Sequence, residues 1–166
     1  MNPLLSQLQP YPFERLKQLF AGVHPPAQFQ AISLGMGEPR HPTPAFIKDA
    51  LCANTGGMAS YPATAGDLTL RTALTGWLFK RYAIDLDAVS QVLPVHGSRE
   101  ALCALAQTII DTTHGTPVVV CPNPFYQSCE GAALLAGATP YYAPSNPDRN
   151  FAIDWDAVPQ SVWGRT

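Results

Sequence analysis

Between residues 117 and 143 the chain passes through an apolar stretch, a helical stretch, a glycine and a second β-prone stretch, and few folds accept that order. Pro117 to Cys121 reads as a buried strand, and Tyr126 to Ala136 as a helix closed by Gly137 in the left-handed conformation. Thr139 to Ala143 reads as the returning strand. A similar unit precedes it: a strand over Gln91-Val-Leu-Pro-Val95, a tight turn at His96-Gly97-Ser98, and a helix from Arg99 to about Asp111 carrying Leu102, Leu105, Ile109 and Ile110. Such alternation predicts an α/β fold, a sheet covered by helices.

The first half is more broken. Phe13 to Phe20 has helical spacing of Phe13, Leu16, Leu19 and Phe20. Ala31-Ile-Ser-Leu34 reads as a brief strand running into the loop Gly35 to Arg40. Thr43 as N-cap and Pro44 at the first helical position open a helix through about Ala53, with Phe46, Ile47, Ala50 and Leu51 on one face. After a loop over residues 54–66, with Tyr61 in its middle, a longer helix is expected from about Asp67 to Tyr82. Its buried face would be Leu70, Leu74, Trp77, Leu78 and Tyr82, with Arg71, Lys80 and Arg81 wet. The 17 prolines fall at the seams between these segments, where a fixed φ and a missing N–H suit turns.

Composition narrows the function. Ten basic against twelve acidic residues give a net charge of −2, which lacks the electrostatic footprint of a nucleic-acid or membrane-surface binder. No apolar run approaches the roughly 20 residues needed to cross a bilayer, and the opening Met1 to Leu8 has no basic start followed by an apolar core. A cytoplasmic location is the expectation. Cys52, Cys103, Cys121 and Cys129 form no Cys-x-x-Cys arrangement, so they read as reduced thiols in or near the core, and no metal is expected.

Two places carry candidate chemistry. In Val95-His-Gly-Ser-Arg-Glu100 a helix starts just after a strand, and its unpaired N–H groups and dipole suit a phosphate. Gly97 admits close approach, while Ser98 and Arg99 add a hydroxyl and a cation; a plain turn and cap is the structural alternative. The proline-bracketed loop Cys121 to Tyr126 leaves a strand where open α/β sheets place ligand contacts, and Phe125 or Tyr126 could stack on a flat ring. Gly35 to Arg40 is no dinucleotide fingerprint, since no helix follows it, and no Gly-Lys-Ser or Gly-Lys-Thr run makes a P-loop.

In order along nearly the whole chain, four segments resemble the class I/II, fold-type I, pyridoxal-phosphate-dependent aminotransferases. They are Leu34 to Pro44, Tyr61 to Gly66 with Leu70-Arg71, His96 to Leu102, and Pro122 to Tyr126 with Gly137 to Pro140. Asn2 to Leu16 and Pro124 to Gly137 most resemble the succinyldiaminopimelate transaminases of bacterial lysine biosynthesis, although Arg40 and Cys129 depart from the usual pattern.

The resemblance implies an α/β, three-layer large domain of the fold-type I class. Residues 1–45 would form an N-terminal arm and small-domain segment, and residues 46–166 the N-terminal part of the pyridoxal 5'-phosphate-binding domain. Gly97, Ser98 and Arg99 would bind the cofactor phosphate, and Phe125 would stack on its ring. Tyr61 would reach the phosphate of a neighbouring subunit in a homodimer, and Gly37 would offer its N–H to the substrate α-carboxylate. The reaction implied is amino transfer between glutamate and an oxo acid, N-succinyl-2-amino-6-oxopimelate. Another amino-acid specificity, or a non-catalytic α/β module that binds a phosphorylated ligand or a partner, are the alternatives.

Only Lys17, Lys48 and Lys80 are available as lysines, and none matches the family lysine that holds the cofactor. That lysine and its partner groups are expected C-terminal to Thr166, so the reading is of an incomplete, truncated domain that is inactive alone. The isolated chain is then expected to expose apolar strand edges and to aggregate. Light scattering and thermal melting check this; a soluble, sharply melting monomer is the contrary outcome.

Overall fold

The structure is a computed structural model that describes residues 1–30 and 32–166. Its contacts gather into two compact units, one of residues 1–16 with 95–166 and the other of residues 17–94. The helices are α1 (Pro12–Leu19), α2 (Ala45–Ala53), α3 (Leu68–Tyr82), α4 (Ser98–Ile109), α5 (Ser128–Leu135) and α6 (Gln160–Trp163). The strands are β1 (Val118–Asn123), β2 (Thr139–Asn146) and β3 (Ala152–Ile153).

In the first unit the expected strand-helix-strand rhythm is realised. β1 and β2 pair in parallel, in register from Val118 opposite Thr139 to Asn123 opposite Pro144, and α5 makes the crossover. β3 adds antiparallel to the far end of β2, with Ser145 opposite Ile153. α5 meets the sheet through Ala132 and Ala133, both buried, whose small side chains let the helix axis come close. Its C-terminus is a Schellman closure: Ala138 N–H donates to Ala133 O at 2.9 Å and Gly137 N–H to Leu134 O at 3.0 Å, with Gly137 at φ 84°. The core is small, formed by Val118, Ala143, Val158 and Val162 with Val120, Tyr141 and Ile153 against it. α4 packs on α5, and a 3-10 turn at Pro3–Gln7 packs on α5 as well.

β1 lies at the edge of this sheet although Val-Val-Val-Cys is the composition of a strand covered on both sides. Beside it an apolar cavity of about 840 Å³ opens, lined by Leu102, Leu105, Ile109, Val119, Val120 and Trp163 among others. The first unit therefore presents apolar surface that its own residues do not cover.

The 17–94 unit is built differently from expectation. Arg71 is its one buried residue among those described. The guanidinium donates from Nη1 to Ala88 O at 2.9 Å and Val89 O at 3.1 Å, which draws residues 87–91 over that side of α3. Consequently the face expected to be buried is exposed at Leu70, Leu74, Trp77 and Tyr82 and half-buried at Leu78, and Arg71, expected wet, is inside. Trp77 and Tyr82 meet edge to face at 5.6 Å. Asp67 caps α3, accepting from Thr69 N–H at 2.8 Å and Leu70 N–H at 3.3 Å. These bonds and the Thr69 hydroxyl hold the Asp67 carboxyl below its ordinary range.

Two expected strands are absent. Residues 91–95 are irregular: Asp87 organises the preceding turn, accepting from Val89 N–H at 3.0 Å, and Pro94 has no N–H for a ladder. Residues 32–34 are irregular as well, and Ala31 lies outside the described residues. The N-cap of α2 is Pro44 rather than Thr43, with no side-chain cap, and Phe46, Ile47 and Leu51 stand exposed. Cys121 is buried and Cys103 and Cys129 are half-buried, but Cys52 is exposed on α2; all four are free thiols. Burial drives the Cys121 thiol up to about 11. The final segment contributes the short β3 and then α6. Among the described residues no helix is long and apolar enough to cross a membrane.

Gly137 tests the join between α5 and β2. A Cβ there would lie 2.9 Å from Thr112 Cγ2, and the left-handed backbone costs a side-chain-bearing residue roughly 1–2 kcal/mol. Gly137→Ala is expected to lower the urea midpoint of the chain in dilute solution by at least that equivalent. Gly131→Ala, within α5 and meeting only Leu8 Cδ2 at 3.9 Å, is expected to hold or raise it.

Candidate functional site

The candidate site lies in the first unit, where the start of α4 meets the loop that leaves β1. Gly97 is the N-cap of α4 with φ 156°, and it has no side chain to cap the helix. Among the described residues no hydrogen bond ends on the N–H groups of Ser98, Arg99 and Glu100. Those groups and the helix dipole make a positive, outward-facing end. The Glu100 carboxylate folds back toward it, so that a Cβ on Gly97 would lie 2.6 Å from Glu100 Oε2. An acid in this first turn answers the same field that attracts a ligand anion.

Arg99 does not wave in solvent. Its Nε donates to the Tyr126 hydroxyl at 2.8 Å, and its guanidinium carbon stands 5.9 Å from the Tyr126 ring centre. The Ser128 hydroxyl first, and the Arg99 guanidinium second, hold the Tyr126 phenol below its usual range. Reciprocally, the Tyr126 oxygen raises the Arg99 guanidinium further above neutrality. Arg99 is thereby a permanent cation whose direction is set by a residue 27 positions away.

The neighbouring aromatic points elsewhere. The Phe125 ring is half-buried, 5.3 Å from the Tyr142 ring at a 36° tilt, and Tyr142 donates its hydroxyl to Glu130 Oε1. Burial and then the Glu130 carboxylate push the Tyr142 phenol up to about 12. Of the expected site residues, Gly97, Ser98 and Arg99 come together with Tyr126, whereas the Phe125 ring lies on Tyr142. Tyr126 was one of two candidate aromatics in the sequence, and an alternation of rings in a proline-bracketed loop does not say which turns which way. Ser128, Glu130 and Tyr142 carried no sequence signal. Tyr61 and Gly37 belong to the 17–94 unit. Tyr61 is fully exposed beyond a 3-10 turn at Thr55–Ala59, and Gly37 sits in a turn closed by Glu38 N–H on Met36 O at 3.0 Å.

The donor set suits a phosphate dianion next to a flat ring: free helix N–H groups, a hydroxyl at Ser98, a fixed cation at Arg99 and an aromatic at Tyr126. A family model described as aminotransferase class I and II matches residues 30–162. The chain belongs to the class I and II aminotransferases. Enzymes of this family depend on pyridoxal 5'-phosphate, and the donors at the start of α4 fit its phosphate and ring. Among curated relatives, the LL-diaminopimelate aminotransferase of Dehalococcoides mccartyi is 33% identical over 164 residues, which is 98% of this chain and 41% of the relative. That of Aquifex aeolicus is 30% identical over 165 residues, 95% of this chain and 40% of the relative. The crystal structure of an aminotransferase from Neisseria meningitidis superposes on all of this chain and 42% of its own, with a TM-score of 0.91 and 45% identity. This aminotransferase chain thus spans about two fifths of the length of the relatives it matches, and its α/β architecture is that of the fold-type I enzymes.

The Arg99–Tyr126 contact has a spectroscopic consequence. Arg99→Gln is expected to move the ionisation of Tyr126 upward, toward the ordinary 10.0, in an alkaline ultraviolet titration, with Tyr126→Phe identifying the component that moves. Because the folded phenol is depressed, its ionisation favours the folded state above that ordinary value, and the benefit fades as pH falls through the depressed one.

Proposed function

We propose that this protein transfers an amino group between glutamate and an oxo acid of the diaminopimelate series, N-succinyl-2-amino-6-oxopimelate, in the cytoplasm. The observation that carries the reading is the start of α4, where uncapped N–H groups and an Arg99 fixed by Tyr126 offer a phosphate site within the segment matched by the family. The diaminopimelate series is supported by the relatives that carry LL-diaminopimelate aminotransferase in their names.

In this reading Gly97, Ser98 and Arg99 bind the phosphate of pyridoxal 5'-phosphate. The ring-stacking role is assigned to Tyr126 rather than to Phe125, because Tyr126 faces Arg99 and Phe125 is occupied by Tyr142. The bound cofactor supplies the electron sink for chemistry at the substrate Cα. The chain's own residues hold and orient it: Arg99 neutralises the phosphate, Ser98 donates a hydrogen bond, and Tyr126 fixes the plane of the ring. Gly37 offers its N–H to the substrate carboxylate, and Tyr61, fully exposed on its own unit, reaches the phosphate of a second subunit in a homodimer. Residues 1–45 serve as arm and small-domain segment and residues 46–166 as part of the cofactor-binding domain. None of Lys17, Lys48 and Lys80 matches the family lysine that holds the cofactor, so residues 1–166 alone are expected to be inactive.

A chimera tests the reading. Residues 1–166 replace the matched 42% of the Neisseria meningitidis aminotransferase, and the reverse reaction is followed as glutamate formed from 2-oxoglutarate with N-succinylated or free diaminopimelate as the amino donor. The expected result is cofactor loading, turnover that prefers the succinylated compound, and loss of roughly tenfold or more in cofactor affinity on Arg99→Ala. A chimera that loads cofactor but transfers nitrogen with neither compound would defeat the substrate assignment.

A further inference from the structure

We propose that Glu130 and Tyr142 are positioning residues for the candidate cofactor site: they anchor Phe125, and through it aim the adjacent Tyr126 at Arg99. The inference rests on the reading of Arg99 and Tyr126 as cofactor-binding groups.

The loop after β1 needs such an anchor. Pairing with β2 ends at Asn123 opposite Pro144, and beyond it Pro124, Phe125 and Tyr126 have no ladder to hold them before α5 begins at Ser128. The Arg99–Tyr126 hydrogen bond is exposed, as is the Tyr142–Glu130 bond, and an exposed polar contact alone adds little rigidity when competing with water, so the ring packing of Phe125 on Tyr142 is needed beside them. The buried side of the loop is Phe125, whose ring lies against Tyr142 at 5.3 Å. Tyr142 stands in the middle of β2, directly opposite Cys121 of β1, and its hydroxyl is engaged by Glu130 from the first turn of α5. The strand thus meets the loop ring through Tyr142, and the helix holds Tyr142 in turn through Glu130. The two adjacent rings part: Phe125 lies on Tyr142 of β2 while the Tyr126 hydroxyl meets Arg99 of α4, so holding Phe125 on the β2 side leaves Tyr126 directed toward α4. Site residues keep productive geometry when a supporting shell on regular elements locks them.

Two measurements on the chimera that carries residues 1–166 test this, using pyridoxamine 5'-phosphate, which fluoresces and carries no aldehyde, as the probe. Tyr142→Phe keeps the ring and loses the hydroxyl; it is expected to weaken probe binding roughly tenfold, the scale of one hydrogen bond to a charged group. Glu130→Leu is expected to do the same, the double variant to be no worse than either single one, and Glu130→Gln, which retains an acceptor, to restore affinity. The second measurement needs no ligand: in an alkaline titration Tyr142→Phe is expected to shift Tyr126 upward, as loss of the Arg99 contact does. A pair with only a structural role would lower the melting midpoint and leave Tyr126 unmoved. An unchanged Tyr126 titration in Tyr142→Phe overturns the positioning claim whatever the probe does. A shifted titration in a chain that fails to bind the probe supports the positioning of Tyr126 and instead overturns the cofactor reading.

Discussion

The parallel pairing of β1 with β2 through the α5 crossover is the interaction on which the candidate site depends. A parallel pair cannot close with a tight turn, so the chain must leave the C-terminal end of β1, cross the sheet in a helix and return. That path places the loop 122–127 at the end of β1, and Ala132 and Ala133 let α5 lie close against the strands. α4, packed on α5, then presents its N-terminus to the same loop. The Arg99–Tyr126 contact joins the two and turns a bare helix end into a directed cation beside a ring.

A different constraint organises residues 17–94. Among the described residues no apolar cluster is buried here, and the one buried side chain is a guanidinium tied to the carbonyls of Ala88 and Val89. Burying a cation is costly unless its donors are satisfied, and carbonyl acceptors meet that need at Nη1. The apolar residues of α3 remain outside, as do those of α2. Together with the edge position of β1 and the cavity beside it, this leaves a chain whose apolar content exceeds what its own packing covers.

Periodicity read well where local rules and packing agree. The βαβ unit from Val118 to Asn146 and the Gly137 closure follow from local spacing and conformational preference that act within a few residues. It read poorly where burial was inferred from amphipathic pattern alone. A helical stripe such as Leu70, Leu74, Trp77 and Leu78 states that one face is apolar, without stating what covers it. The strand expected at residues 91–95 failed for a related reason, since a strand exists only when a neighbour accepts its hydrogen bonds.

The sequence by itself determined the α/β class and the family, and it singled out the turn Gly97-Ser98-Arg99 as a candidate, because each rests on residues adjacent in the chain or on ordered motifs along it. Only the tertiary structure decided that Arg71 faces inward, and that Tyr126 rather than Phe125 meets Arg99 while Glu130 and Tyr142 hold the ring beside it. The physical reason is that a side chain's direction depends on partners brought close by the fold, here across 17, 27 and 12 positions of sequence, and local pattern carries no record of them.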